Sequence, residues 1–252
     1  MVQFQIASDL HIESNLNQTQ DPLDLITPSA GILILAGDIG SFYKHNQLKT
    51  FLDKLCVHFN IVLYVPGNNE YYSVNGYETQ SMATLLNNFV SISSSIKNLQ
   101  ILNCSSVIIN DICILGCTLW SEPFMNVPKF IVRIPEMTTR IYKQTYETQL
   151  GYIKKMIKYC KKKELKLLVI THHGPTYSAI TNTKKLNDKY VSLYASNLDK
   201  MLVKQNVHTW VYGHIHINVD KITDDGTHLV SNQLGKKNNM AKNYSKKHII
   251  IV

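Results

Sequence analysis

The sequence of 252 residues has no apolar run that approaches the roughly 20 residues a helix needs to cross a bilayer. Its first residues, Met-Val-Gln-Phe-Gln-Ile, lack the charged stretch and the long apolar stretch of a signal peptide. Internal repeats and a convincing linker are absent as well. We therefore expect a cytoplasmic protein without a membrane partner, folded as a single domain over residues 1–252.

Cysteine is scarce, and its pattern excludes a zinc motif. The five cysteines are odd in number and irregularly spaced. Cys113 and Cys117 share one face of a predicted strand, but no second Cys/His pair follows at zinc-binding spacing. We therefore expect these residues to be buried, apolar thiols.

Arginine is scarce too, although the chain is basic. Of the 26 basic residues only two, Arg133 and Arg140, are arginines, and the net charge is +8. A basic surface favours anionic partners, so nucleic acid is one candidate partner. No nucleic-acid-binding motif accompanies the charge. An AT-rich genome, which raises Asn, Lys and Ile together, is the alternative explanation.

Short apolar runs alternate with helical patterns along the chain. Residues 31–36, 61–65 and 167–171 are continuous apolar strands, which is typical of parallel sheets buried on both faces. Apolar residues recur at helical spacing from Leu48 to Phe59, and further helices are predicted near residues 82–90, 139–164 and 190–205. The pattern predicts an α/β fold with two sheets and the helices outside.

Five polar motifs each follow a predicted strand, and the strands before the first and last motifs are residues 2–7 and 207–212. They are Asp9-Leu10-His11, Gly37-Asp38, Gly67-Asn68-Asn69-Glu70, His172-His173-Gly174 and Gly213-His214-Ile215-His216. Taken alone, each has an ordinary reading, such as a turn residue or a structural histidine. Together they offer enough carboxylate, amide and imidazole groups to hold two divalent metals. Two metals about 3.5–4 Å apart are a common device for attack on phosphorus.

The set of motifs resembles the calcineurin-like metallophosphoesterase superfamily, whose pattern is D-x-H, G-D, G-N-H-[DE], H and G-H-x-H. All but one of the motif positions occur here, between Asp9 and His216. The resemblance implies a sandwich of two mixed β-sheets flanked by helices. It also implies hydrolysis of phosphate monoesters, diesters or anhydrides by a hydroxide held between two metals.

The resemblance also implies a role for each motif residue. Asp38 would bridge the two metals, which would be drawn from Mn, Fe, Zn or Ni, with Mn favoured in vitro. The imidazole content argues against two magnesium ions. The first metal would be bound by Asp9, His11 and His216, and the second by Asn68, His172 and His214.

Asn69 departs from the family pattern. The family has a histidine there, which contacts the substrate phosphate and is thought to protonate the leaving oxygen. Asn69 can donate a hydrogen bond to phosphate, but it cannot deliver a proton, and loss of a general acid typically costs about 10²–10⁴ in rate. His45 and His173 are alternative proton donors. For His173 we favour a supporting role, as a hydrogen-bonding residue behind the metal ligands.

Residues 120–140 contain three prolines and no clean period, which predicts an irregular, lid-like insertion. Both arginines lie in it, and guanidinium groups suit phosphate recognition. Arg133 and Arg140 are therefore candidate substrate-binding residues, with ordinary surface charge as the alternative.

Three functions remain open from the sequence. The presence of all seven ligands favours an active hydrolase of a small phosphate compound. Asn69 favours a weakened homologue that captures a phosphorylated ligand or partner. A scaffold without turnover is the third reading, and metal content would separate it from the others.

Overall fold

Two mixed β-sheets pack against each other, and helices flank them. The computed structural model describes residues 1–15, 21–180 and 183–252. The described helices are α1 (Ile12–Asn15), α2 (His45–Cys56), α3 (Met82–Ser93), α4 (Thr139–Lys163) and α5 (Thr183–Leu186). The described strands are β1 (Gln3–Ala7), β2 (Ile32–Leu35), β3 (Ile61–Tyr64), β4 (Leu99–Ile101), β5 (Ser105–Ile109), β6 (Ile112–Cys117), β7 (Lys166–Thr171), β8 (Thr209–Val211), β9 (Asp220–Ile222), β10 (His228–Val230), β11 (Gly235–Lys236), β12 (Asn239–Met240) and β13 (Ile249–Ile251).

Each large sheet has a parallel centre and at least one antiparallel edge strand. The first sheet has the order β13-β1-β2-β3-β4, in which only β13 runs antiparallel to its neighbour. The second has the order β5-β6-β7-β8-β10-β9, with antiparallel pairs at both ends. The short β11–β12 hairpin stands apart from both sheets. The sandwich implied by the family resemblance is confirmed.

Most positions of the central strands are apolar because both faces of these strands are buried. In β2, Ile34 packs in the layer between the two sheets, whereas Leu33 and Leu35 belong to the core that includes the helices. In β7, Leu168 and Val169 alternate in the same way. Successive strand side chains point to opposite faces, so burial of both faces favours an apolar residue at most positions.

Helix α4 covers the outer face of the second sheet and contacts β6 and β7. Its first turn is capped by Thr138, whose hydroxyl accepts a hydrogen bond from the backbone N–H of Ile141. The helix ends at Lys163. The C-cap residue Glu164 has a left-handed φ of 55°, and its N–H donates to the carbonyl oxygens of Cys160 and Lys161. The predicted helix over residues 139–164 is confirmed.

The helix predicted near residues 190–205 is wrong. The chain there forms only two short 3-10 turns, Val191–Leu193 and Asp199–Met201. Between them the backbone pairs with the loop after β7: Gly174 donates to Tyr194, and Ser196 donates back to Gly174. These tertiary hydrogen bonds replace the ones that a helix would have made within itself.

Neither a helix nor a strand forms between β6 and α4, where the chain is fully described. Val127, Val132 and Met137 of this segment are nevertheless buried. Four cysteines are buried as expected, and Cys104 is partly exposed. Within the described ranges, no helix has the length and apolar character that a membrane span requires.

Gly116 of β6 packs so closely against residues after β3 and β4 of the other sheet that a side chain does not fit there. A Cβ atom there would lie 2.5 Å from Leu102 Cβ and 2.5 Å from Val65 Cγ2. We predict that Gly116→Ala destabilises the protein by about 1–3 kcal/mol, the usual cost of overpacking. The control is Gly151→Ala at an exposed position of α4, where nothing lies within 4 Å of an added Cβ. It should raise the free energy of unfolding by about 0.5–1 kcal/mol. Denaturant unfolding of both variants measures this, and equal shifts would contradict it.

Candidate metal centre

The polar motifs meet at one edge of the sandwich, where the parallel strands end. The first sheet delivers Asp9 and His11 after β1, Asp38 after β2 and Asn68 after β3. The second sheet delivers His172 after β7, and His214 and His216 after β8. Every ligand predicted from the motifs therefore lies in one cluster, and each sheet supplies part of it.

The cluster consists of two groups, each with three potential ligand atoms within 4.8 Å of one another. The first group is Asp9, His11 and His216. In it, His216 Nε2 lies 3.3 Å from Asp9 Oδ1 and 3.3 Å from His11 Nε2. The second group is Asp38, His172 and His214.

Asp38 lies between the two groups. Its Oδ2 is 3.7 Å from His11 Nε2 in the first group, and its Oδ1 is 3.2 Å from His172 Nε2 in the second. Asn68 Oδ1 faces the same His172 Nε2 at 2.9 Å. One carboxylate thus offers an oxygen atom to each group, which is the geometry of a bridging ligand.

Each of the four histidines has one ring nitrogen close to a protein oxygen outside the cluster. His172 Nδ1 lies 2.9 Å from the carbonyl oxygen of Ala36, and His214 Nε2 lies 3.1 Å from that of Leu193. Metal-binding histidines are commonly held in this way, because the outer hydrogen bond fixes the tautomer and frees the inner nitrogen. For the first group the outer contacts are His11 Nδ1 to Glu13 Oε1 at 3.3 Å and His216 Nδ1 to Asn239 O at 3.2 Å.

The charges of the site favour a cation among these atoms. Burial alone would lower the pKa of His172, but the Asp38 carboxylate raises it to about 9. Burial alone would raise the pKa of Asp38, yet the surrounding histidines, His172 first, lower it well below its usual range. Oxygen and nitrogen lone pairs face one another here and would repel, so a proton or a metal ion is needed between them. The donor set fits two divalent cations.

The backbone is strained at the proposed ligands. A left-handed φ costs a residue with a side chain about 1–2 kcal/mol, and such strain concentrates at functional sites. Close approach adds a second constraint, since a side chain on Gly67 would overlap the Asp38 carboxylate. The positive φ values are 54° at Asp9, 44° at His11, 54° at Asp38, 71° at His214 and 54° at His216.

Asn69 lies beside the bridging carboxylate. Its backbone N–H donates to Asp38 Oδ1 at 2.8 Å, and its side-chain amide donates to Asp38 Oδ2. The sequence motifs gave no sign of a further partner, Lys236, whose Nζ donates to Asn69 Oδ1 at 3.0 Å. Position 69 is therefore at the site, as the motif order predicted. Its side chain also accepts a hydrogen bond from a lysine ammonium that comes from a distant part of the chain.

His173 is buried behind the second group. Its ring centroid lies 4.1 Å from that of His214 and 5.5 Å from that of Trp120. Burial, followed by the charge of His172, lowers the pKa of His173 to about 3. A neutral ring cannot supply a proton as an imidazolium would, and the supporting role of His173 stays a prediction. His45, the other candidate donor, begins α2 and is partly exposed.

A cavity of about 80 Å³ opens beside the second group. Arg133 is close to it, with its guanidinium carbon 5.2 Å from the ring centroid of the lining residue Tyr72. Arg140 is exposed in the first turn of α4. Most of the residues that line the cavity lie outside the sequence motifs. The lining residues are Asn68, Tyr72, Trp120, Ile131, Val132, Tyr142, His173, Tyr190, Leu193, Tyr194 and His214.

Glu70 is the last residue of the third motif, and the sequence predicts no role for it. In the structure it organises the loop that carries Asp38. The carboxylate is fully buried, and burial together with Asp38 raises its pKa to about 7. It accepts hydrogen bonds from the backbone N–H groups of Asp38, Ile39, Gly40 and Gly67 and from the Tyr64 hydroxyl. Glu70 is therefore a positioning residue, since it contacts the backbone of two ligand loops.

Glu70→Gln should lower the free energy of unfolding by about 1–3 kcal/mol, because an amide NH₂ would face backbone N–H donors. Metal content should fall with it, since the Asp38 loop loses its anchor. The control is Glu78→Gln, which changes an exposed side chain in the same way. Denaturant unfolding and elemental analysis measure the two effects. If Glu70→Gln matched the wild type in both, Glu70 would not position the site.

The comparisons with known proteins agree with this geometry. The sequence model of the family described as calcineurin-like phosphoesterase matches residues 3–218. An uncharacterized protein of Acanthamoeba polyphaga mimivirus is 27% identical over 258 aligned residues, which cover 90% of this chain and 89% of that protein.

Two solved structures share the fold. Phosphopantetheinyl hydrolase from Mycobacterium tuberculosis aligns with a TM-score of 0.72 at 15% identity, covering 99% of this chain and 95% of that one. A dimetal phosphatase from Danio rerio aligns with a TM-score of 0.58 at 13% identity, covering 91% and 86%. The match over residues 3–218 spans far more than half of the sequence. The chain therefore belongs to the calcineurin-like phosphoesterase family.

Proposed function

We propose that this protein is a dinuclear metal-dependent phosphoesterase that hydrolyses small phosphate monoesters, diesters or anhydrides. The position of Asp38 is the main support, because its two carboxylate oxygens face histidines of different groups. A structural aspartate has no need of two separate sets of metal-binding side chains around it. Two adjacent cations are in turn the arrangement that suits displacement at phosphorus.

In this proposal Asp9, His11 and His216 hold one cation, and Asn68, His172 and His214 hold the other. Mixed imidazole and carboxylate ligands suit Mn, Fe, Zn or Ni, and Mn is the ion we would load first. When bound, two such ions would act as Lewis acids on water and on a phosphoryl oxygen. The protein contributes the spacing of the groups and the fixed orientation of each imidazole.

Asn69 limits the choice of leaving group. Its amide can donate a hydrogen bond to a phosphate oxygen, but it has no proton to transfer. Phenolate-like and phosphate leaving groups depart without protonation, whereas alkoxides need it. We therefore infer that activated esters or anhydrides are better substrates than alkyl esters.

The aromatic cavity supports a small apolar substituent on the substrate. Its volume of about 80 Å³ suits a small ring or a short chain, and it adjoins Asn68 and His214. Arg133 is the arginine better placed to approach a substrate, because it packs over Tyr72 of the cavity wall. A screen should pair aryl esters with nucleotides, pyrophosphates and a phosphopantetheinyl ester. Nucleic acid also belongs in it because of the net charge of +8.

A second function is favoured by the contacts of Asn69. Its side chain is engaged by Asp38 on one side and by Lys236 on the other. A site built this way could hold a phosphorylated ligand without turning it over. Absence of hydrolysis by a protein that holds two metals would support capture over catalysis.

We predict that the protein binds close to two equivalents of manganese and that Asp38→Asn weakens both sites, because the bridging group loses its charge. Elemental analysis after manganese loading and desalting measures the content. The control is Asp53→Asn, which removes an exposed carboxylate paired with Lys49 on α2. A single tight ion that survives Asp38→Asn would reject the dinuclear site.

We predict that Asn69→His increases alkyl ester hydrolysis by about 10–10³-fold, the usual range for a general acid, and flattens the dependence on leaving-group pKa. Rates on a series of aryl and alkyl phosphates measure this. The control is Asn87→His, an equivalent change on the exposed face of α3. Efficient alkyl ester cleavage by the wild type, unchanged by Asn69→His, would show that another residue supplies the proton.

A further inference from the structure

The position that lacks the family histidine is joined to a lysine. Lys236 Nζ donates to Asn69 Oδ1 at 3.0 Å, and the Asn69 amide donates in turn to Asp38 Oδ2. A single amide therefore separates an ammonium group from the bridging carboxylate. The two residues are 167 positions apart in sequence, so the contact is a product of the fold.

The β11–β12 hairpin that carries Lys236 is fixed to the first metal group. Gly235 donates its N–H to the backbone oxygen of Asp9 at 2.9 Å. The Asn15 side chain also contacts the hairpin, donating to Gly235 O at 2.7 Å. The start of the Lys236 side chain is thus held beside one of the proposed ligands.

The other strand of the hairpin contacts the same group. Asn239 O and Asn239 Nδ2 each lie 3.2 Å from His216 Nδ1. Lys236 therefore starts beside the first group and ends at Asn69, whose amide contacts Asp38 between the two groups. Its side chain is only partly exposed, although most of the neighbouring lysines are at the surface.

We infer that Lys236 is a phosphate-binding residue, whose ammonium contacts a non-bridging oxygen of the phosphate group at the metal centre. This inference rests on the proposed function, because it places phosphate at that centre. An ammonium has three N–H donors, and the contact to Asn69 uses one of them. Lysine binds phosphate as a point charge, so it supplies the positive charge that the neutral Asn69 lacks.

A structural role for Lys236 makes a different prediction. If the ammonium only tied the hairpin to Asn69, its loss would lower stability and leave phosphate affinity unchanged. Replacement by glutamine keeps a hydrogen-bond donor and removes the charge, whereas arginine keeps the charge. The two substitutions therefore separate charge from tethering.

The test is calorimetric binding of inorganic phosphate to manganese-loaded protein. Lys236→Gln should raise the Kd by about 10- to 100-fold, the range expected for a lost hydrogen bond to a charged group. Lys236→Arg should stay close to the wild type. The control is Lys237→Gln, which changes the exposed neighbour on the same hairpin. Manganese content should be equal in all four proteins, and added salt should weaken phosphate binding more in the wild type than in Lys236→Gln.

An unchanged Kd in Lys236→Gln, or no phosphate binding by the loaded wild type, would overturn the inference. The proposed hydrolase can fail separately from it. If phosphate affinity depends on Lys236 but no ester or anhydride is cleaved, Lys236 binds phosphate in a capture protein. If esters are cleaved and Lys236→Gln binds phosphate as the wild type does, the hydrolase stands and the role of Lys236 is rejected.

Discussion

The Asp38 carboxylate is the point on which the rest of the site depends. The first sheet supplies it, and its two oxygens face His11 from the same sheet and His172 from the other. A buried charge in this position is costly unless cations or hydrogen-bond donors surround it. The fold meets this need with histidines from both sheets, with the Asn69 amide, and with Glu70 holding the Asp38 backbone. The two sheets are therefore joined by charge at this edge as well as by the apolar layer between them.

Hydrogen bonds between the ligand loops stabilise the strained backbone of the site. Five of the proposed ligands have left-handed backbone conformations, each of which costs about 1–2 kcal/mol. Several of these ligands are also buried polar residues. Hydrogen bonds between loops offset this cost, among them Asp9 N–H to Gly37 O and His11 N–H to Asp38 O. These contacts pre-organise the ligands, so that bound cations need not order the loops. Stability and function are coupled here, because the same loops that weaken the fold create the site.

The sequence predicts most of the fold, and the meeting of the motif residues at one edge, for clear physical reasons. Strands buried on both faces are largely apolar, and parallel strands bring the residues after them to one edge. Contacts between distant segments are beyond such reasoning. The helix predicted near residues 190–205 is wrong because that backbone pairs with Gly174. Nothing in the sequence distinguishes Lys236 from the many surface lysines. The contact of its hairpin with Asp9 places it beside Asn69. The cavity wall is likewise assembled from distant aromatic residues.

Anomalous diffraction from crystals grown with manganese tests the central claim most directly. The account predicts two peaks about 3.5–4 Å apart, the usual separation in two-metal sites. One should lie among Asp9, His11 and His216, the other beside His172 and Asn68, with Asp38 between them. A single peak, or a second peak away from His172 and Asn68, would contradict the account of Asp38 as the shared ligand of two ions.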